Sequence, residues 1–257
     1  MHELLISKDQ PDNQLTQTSR QKNLLRKVNF DIDGVLAKAP VPGKTVFALV
    51  IRRFHPKLGK TYKPYHPGKS EIISRVFEPV TSRFITPYES RRLRPDVVPG
   101  LRGFQAIGKR QGVDLTMGIL SGRELPAHST TRLWIITNPR LSHFFQPENV
   151  SLNTGNSSSL SKELGTIADA ERFYSVLQVD DDPKAAVQTA LINGMTLVDA
   201  NGEQKVAKTA SILINNLSTK PGLLRWAGVE LPENVIPVDS LFLAALAYER
   251  MIADGIM

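Results

Sequence analysis

The chain has no cysteine among its 257 residues. That excludes disulfides, thiolate metal sites and a cysteine nucleophile, and it is neutral on compartment. No apolar run approaches the roughly 20 residues needed to cross a bilayer, so no membrane partner is expected. The first residues lack the uninterrupted apolar core of a secretory signal, and Glu3, Asp9 and Asp12 dilute the positive charge that a transit peptide would carry. The cytoplasm is the expected location. Residues 1–26 are mostly polar and read as a flexible N-terminal arm. Metal-ligand spacing is also missing from the histidines (His2, His55, His66, His128, His143), which read as surface or packing residues.

What remains is a chain that is 41% hydrophobic, enough for one large domain or a core domain with an insertion. The net charge is +7, unevenly spread. From Lys38 to Arg94 there are 13 basic residues and three acids, so this stretch carries +10 and the rest of the chain nets −3. The basic character belongs to one segment.

The segment interrupts a regular pattern. Val28–Asp31 reads as a first strand. Arg53 to Pro99 is rich in proline, aromatics and arginine and has no sustained helical period. From Gly100, Leu101, Phe104, Ile107 and Gly108 give an amphipathic helix closing at Gly112. Strands follow at Leu115–Leu120, Val150–Leu152, Ser175–Val179, Met195–Val198 and Val235–Val238. Helices are expected over Thr130–Ile136, with Leu133, Trp134 and Ile136 buried, and over Ser161–Glu171, Pro183–Asn193 and Leu241–Ile252. Trp226 also reads as core. Strands alternating with helices predict a parallel α/β sheet with right-handed crossovers.

Two of the apolar runs end in acids: Phe30-Asp31-Ile32-Asp33-Gly34 and Val179-Asp180-Asp181-Asp182-Pro183. Carboxyl ends of parallel strands are where ligands bind in open α/β sheets. Acids gathered there repel one another unless a cation neutralises them, and oxygen-only ligation favours Mg²⁺. Either run could instead supply ordinary turn and cap acids, and Asp182 is expected to cap the next helix.

Asp31-Ile32-Asp33-Gly34-Val35-Leu36 resembles the first motif of the haloacid dehalogenase-like (HAD) hydrolase superfamily. Ile119-Leu120-Ser121-Gly122-Arg123 is similar to its second, Lys162 stands for the third and Val179-Asp180-Asp181 for the fourth, in the family's order. The resemblance implies a Rossmann-like three-layer parallel sheet over 27–257, with a basic insertion at about 38–98 between the first and second motifs. It further implies a Mg²⁺-dependent phosphomonoesterase. Asp31 would be the nucleophile, forming an aspartyl-phosphate, and Asp33 the general acid and base. Ser121, Gly122 and Lys162 would hold the phosphate. Asp31, Asp180, Asp181 and the Asp33 backbone carbonyl would ligate the metal. By residue type alone, Ser121-Gly122 also suits a plain turn, and Lys162 a solvated helix face.

The insertion admits three readings: a lid attracting a phosphorylated anionic substrate, a nucleic-acid surface with interleaved aromatics, or a solvated surface. Ser121-Gly122-Arg123-Glu124, Thr131-Arg132-Leu133-Trp134 and Asp180-Asp181 with Lys184 are locally similar to the phosphatase domain of polynucleotide kinase-phosphatases. A nucleic-acid end phosphatase is therefore a minority option. The competing class is a HAD-fold binding protein without turnover, using residues 38–98 to bind nucleic acid or a partner.

Overall fold

The strands at the middle of the sheet are buried on both faces, as parallel strands covered by helices must be. In the computed structural model, which describes residues 25–37, 93–122, 128–152, 158–199, 201–215, 220–226, 228 and 230–257, these are β1 (Arg26–Phe30), β4 (Ser175–Asp180) and β7 (Thr209–Ile214). With β2 (Leu115–Ser121), β3 (Val150–Leu152) and β8 (Val235–Val238) they form a six-stranded sheet in the order β3-β2-β1-β4-β7-β8, every pair parallel. Two units wind outward from β1, which is the Rossmann-like arrangement, with its crevice between β1 and β4.

One face of the sheet is covered by α1 (Val97–Gln111) and α6 (Leu241–Ala253). Val28 and Phe30 of β1 and Leu177 and Val179 of β4 meet Leu101, Phe104, Ala244 and Tyr248 there in the main core. Phe30 stacks edge-on against Phe104 and Phe145 at centroid distances of 5.2 and 5.8 Å. The other face is covered by α3 (Ser158–Arg172) and α4 (Pro183–Leu191), through two smaller apolar clusters around Leu213 and Val176. Helix α2 (His128–Thr137) lies between β2 and β3 in sequence, and α5 (Pro221–Trp226) between β7 and β8. Among the described residues no helix is long and apolar enough to cross a membrane.

Several sequence expectations need correction. The first strand begins at Arg26, so the residue expected to end the arm is buried in the sheet. Thr196–Val198 (β5) does not join the parallel sheet; it pairs antiparallel with Gln204–Val206 (β6) in a separate ribbon. The fifth strand of the main sheet is β7, in a region where the sequence marked no strand. In α2 the burial falls on Thr131 and Ile135, four residues apart, while Leu133 and Ile136 are exposed and Trp134 is half-buried. Four consecutive apolar residues cannot show which face turns inward. Trp226 is exposed. Residues 1–24 and 38–92, which hold most of the arm and of the basic insertion, lie outside the described residues.

The residues that flank 38–92 are described, and they meet. Ala37 and Leu93 form an antiparallel bridge, and Arg94 N donates to Leu36 O at 3.1 Å. The Arg94 guanidinium then forks onto Asp96 (Nε–Oδ1 3.0 Å, Nη2–Oδ2 3.1 Å) and donates through Nη1 to Gly34 O at 2.7 Å. Asp96 Oδ2 also accepts from Leu241 N at 2.7 Å, capping α6 rather than its own helix. Burial works against the Asp96 charge, yet Arg94 and the Leu241 N–H outweigh it and hold the carboxyl below its usual range. The contribution is therefore present above the ordinary 3.8 and disappears as the pH falls below it. Asp96→Ala is expected to cost about 1–3 kcal/mol at neutral pH, measured by urea unfolding, with the difference from wild type shrinking toward pH 3.

Candidate active site

Strand register brings the two acidic runs together. Phe30 is level with Val179, and Asp31 N donates to Val179 O at 2.9 Å, so Asp31 and Asp180 leave adjacent strands side by side. Past Asp31 the chain folds tightly on itself: Gly34 N reaches Ala37 O, and Leu36 N and Ala37 N both reach Ile32 O. Ile32, Val35, Leu36 and Ala37 are fully buried, which fixes this turn against the core. Gly34 has φ +79°, and a Cβ there would overlap the Asp181 carboxylate. The turn therefore needs glycine twice, once for its backbone and once to leave room for Asp181.

Carboxylate oxygens of Asp31, Asp180 and Asp181 lie within 4.8 Å of one another. Lys162 reaches between them from α3, its Nζ 2.9 Å from Asp31 Oδ2 and 2.7 Å from Asp180 Oδ2. It is 3% exposed, so the solvated-helix reading does not hold. Asp180 Oδ2 also accepts from Gln178 Nε2 at 3.1 Å, and Asp180 Oδ1 from Asp182 N at 2.9 Å. Asp182 caps α4, accepting from Lys184 N at 2.9 Å. Asp31 Oδ1, in contrast, is buried without a hydrogen-bond partner.

Asp33 sits half-buried in the turn and bridges to Ala37; its carboxylate is not in the close group formed by the other three. Ser121 is buried at the carboxyl end of β2, on the same edge of the sheet, with Gly122 following it. The residues from Arg123 to Ala127, which include Glu124, are outside the described set.

With all three carboxyls ionised, three carboxylates and one ammonium leave the cluster net negative. Burial, and then Lys162's carboxylate neighbours, act on it in opposite senses. Desolvation disfavours the ammonium, but Asp180 and Asp31 more than offset it and hold the Lys162 pKa above its ordinary value. Burial pushes Asp180 up to about 7, helped by Asp31 and Asp182 and opposed by Lys162. Asp181 is raised well above the usual carboxylate range by burial, Asp180 and Asp31. An all-oxygen donor set, a deficit of positive charge and an unpartnered buried oxygen on Asp31 together fit a hard divalent cation such as Mg²⁺.

Sequence reasoning missed four supporting residues. Asp169 pairs with Lys27 (Nζ–Oδ1 2.7 Å) and accepts from Asn29 Nδ2 at 2.7 Å, all three buried. Gln178 is the fourth. The signal was available: Lys162, Thr166 and Asp169 recur at i, i+4 and i+7, a polar stripe down a helix that must face the sheet somewhere.

No family model and no curated protein matches the chain. Two solved structures align over most of its length. A candidate haloacid dehalogenase-like hydrolase from Burkholderia xenovorans is 13% identical, covering 91% of this chain and 99% of its own, with a TM-score of 0.45. A HAD family hydrolase from Deinococcus radiodurans, with bound phosphate and sodium, is 13% identical, covering 90% of this chain and 96% of its own, with a TM-score of 0.37. Neither assigns a role to any residue of this chain.

Two outcomes are expected. In the metal-free protein, the raised carboxyls favour folding below about pH 4, and that advantage is lost as the pH rises toward 7. Asp181→Asn should thus raise the metal-free melting temperature at about pH 7.5 and leave it little changed at about pH 4.5. Gly34→Ala should cost at least about 1–2 kcal/mol from its positive φ alone, read as a lower denaturation midpoint.

Proposed function

We propose that the protein is a Mg²⁺-dependent phosphomonoesterase that works through an aspartyl-phosphate. The observation that carries this reading is the state of Asp31. One of its oxygens is tied to Lys162 and the other is buried and unpartnered, at the mouth of the sheet crevice. A carboxylate held in this way is oriented and partly desolvated, as a nucleophile toward an electron-rich phosphoryl group must be.

Asp31, Asp180 and Asp181 would hold the cation, with the Asp33 carbonyl. When bound, it supplies charge that offsets the carboxylates and screens the phosphoryl oxygens. Lys162 would pair with the transferred group while still balancing Asp31 and Asp180. Ser121 Oγ–H and the Gly122 N–H would donate to the remaining phosphate oxygens. Asp31 attacks phosphorus, and Asp33 gives its proton to the departing ester oxygen. Asp33, now ionised, takes a proton from water, whose oxygen attacks the aspartyl-phosphate, releasing phosphate and restoring Asp31. Phosphorylated anions are the substrate class. The charge of residues 38–98 is the reason to include end-phosphorylated oligonucleotides among them.

The test is hydrolysis of an aryl phosphate and of a panel of nucleotides and end-phosphorylated oligonucleotides, with and without Mg²⁺. Wild-type turnover should require the metal. Asp31→Asn should abolish turnover. Asp33→Asn should lower kcat by about 10²–10⁴-fold, and any phosphate trapped on Asp31 should be labile to alkali and stable in mild acid, as an acyl phosphate is. Turnover that survives Asp31→Asn would overturn the mechanism.

A further inference from the structure

The layer beneath the carboxylates is polar where a doubly covered parallel sheet is normally apolar. Strand register aligns Gly118, Asn29, Gln178 and Ser211 in one row across β2, β1, β4 and β7, on the face toward α3 and α4. All are interior positions. Asn29 Oδ1, Gln178 Oε1 and Ser211 Oγ are buried and without hydrogen-bond partners, and a Cβ at Gly118 would lie 2.7 Å from Asn29 Oδ1. Leaving a buried amide oxygen unpaired is unfavourable. A methionine of similar length would fill the Gln178 position without that penalty. What the amide adds is a donor.

That donor has one partner. Gln178 Nε2 donates to Asp180 Oδ2 at 3.1 Å, an oxygen that already accepts from Lys162, so the amide turns its N–H side toward it. Asp180 Oδ2 thus has two donors, Gln178 and Lys162, while Oδ1 is set by Asp182 N. The two donors on Oδ2 differ in one respect. Lys162 is shared with Asp31 and, in the reaction above, with the phosphoryl group, so its hold on Asp180 changes when substrate binds. Gln178 is neutral, has no second carboxylate, and is anchored in the strand.

We propose that Gln178 is a positioning residue: it holds the plane of the Asp180 carboxylate so that the site keeps the tight geometry that Mg²⁺ requires. This rests on the metal-dependent reading given above. Mg²⁺ demands near-octahedral ligation, whereas Ca²⁺ tolerates irregular, looser shells. Loss of the Gln178 donor should therefore discriminate between the two cations, which a mere packing defect would not do.

The experiment is calorimetric titration of the full chain with MgCl₂ and with CaCl₂, in the absence of substrate, for wild type, Gln178→Met and Ser211→Ala. Gln178→Met should weaken Mg²⁺ binding by about 10–100-fold and Ca²⁺ binding distinctly less. Ser211→Ala, beside Gln178 in the same buried row but with a hydroxyl that makes no hydrogen bond to the carboxylates, should leave both affinities as in wild type. If Gln178→Met does not fold, Gln178→Asn, which keeps a buried amide one carbon too short to reach, should show the same selective loss. Unchanged Mg²⁺ affinity, an equal loss for both cations, or a loss matched by Ser211→Ala would overturn the proposal while leaving the metal site intact. Wild-type protein that binds neither cation would overturn the metal-dependent reading itself, and this inference with it.

Discussion

The ammonium of Lys162 is the interaction on which the carboxyl edge of this sheet depends. Parallel strands that end level with one another bring their terminal side chains together, and here those side chains are acids. Taking several carboxylates out of water is costly, and their mutual repulsion adds to the cost. One cation delivered from the neighbouring helix, 2.7 and 2.9 Å from two of the acids, makes the arrangement tenable. It does not make it neutral. With the carboxyls ionised, the residual negative charge favours a second positive group, and the unpartnered Asp31 oxygen indicates which side of the cluster lacks one.

Delivering that ammonium constrains α3 along its length. Lys162 reaches the Asp31 end of β1, and two turns later Asp169 reaches Lys27 near its start and Asn29 beyond it. Thr166, between them, turns its hydroxyl to the Lys162 carbonyl at 2.8 Å. The helix is thus pinned to β1 by buried polar contacts along its length, and to the end of β4 through Asp180. Polar contacts of this kind contribute less to stability than an apolar seam would, but they specify one helix register, because sliding the helix by one residue would break three buried ion pairs. The accuracy with which Lys162 meets its acids follows from Asp169 meeting Lys27.

Much of this was legible in the sequence, for identifiable reasons. Asp31, Asp180, Ser121 and Lys162 sit at the ends or on the faces of elements whose periodicity is clear, and the helices α1 and α6 carry apolar residues at regular spacing. The misses share a different cause. Thr209–Ile214 is six residues long, buried on both faces and preceded by a polar ribbon, so neither alternation nor a flanking turn marked it. Met195–Val198 has the composition of a strand, and composition does not say which sheet a strand joins. Asn29, Gln178 and Asp169 were passed over because polar residues in an apolar run look like noise until their partners, far away in sequence, are known.

The turn after β1 ties the site to the rest of the chain. Its Gly34 carbonyl is held by Arg94, Arg94 is held by Asp96, and Asp96 caps the helix α6 that packs on the opposite face of the sheet. The same Arg94 follows directly on Leu93, which bridges to Ala37. The chain therefore leaves for residues 38–92 and returns from them at one point, three residues from Gly34 and within a single hydrogen bond of the loop that makes room for Asp181. A stretch with ten surplus positive charges between Lys38 and Arg94 is thereby tethered at both ends to the edge of a site whose own carboxylates are in excess. Under the phosphoryl-transfer reading proposed above, the acids at the centre are what a cation must bridge before a phosphate can approach.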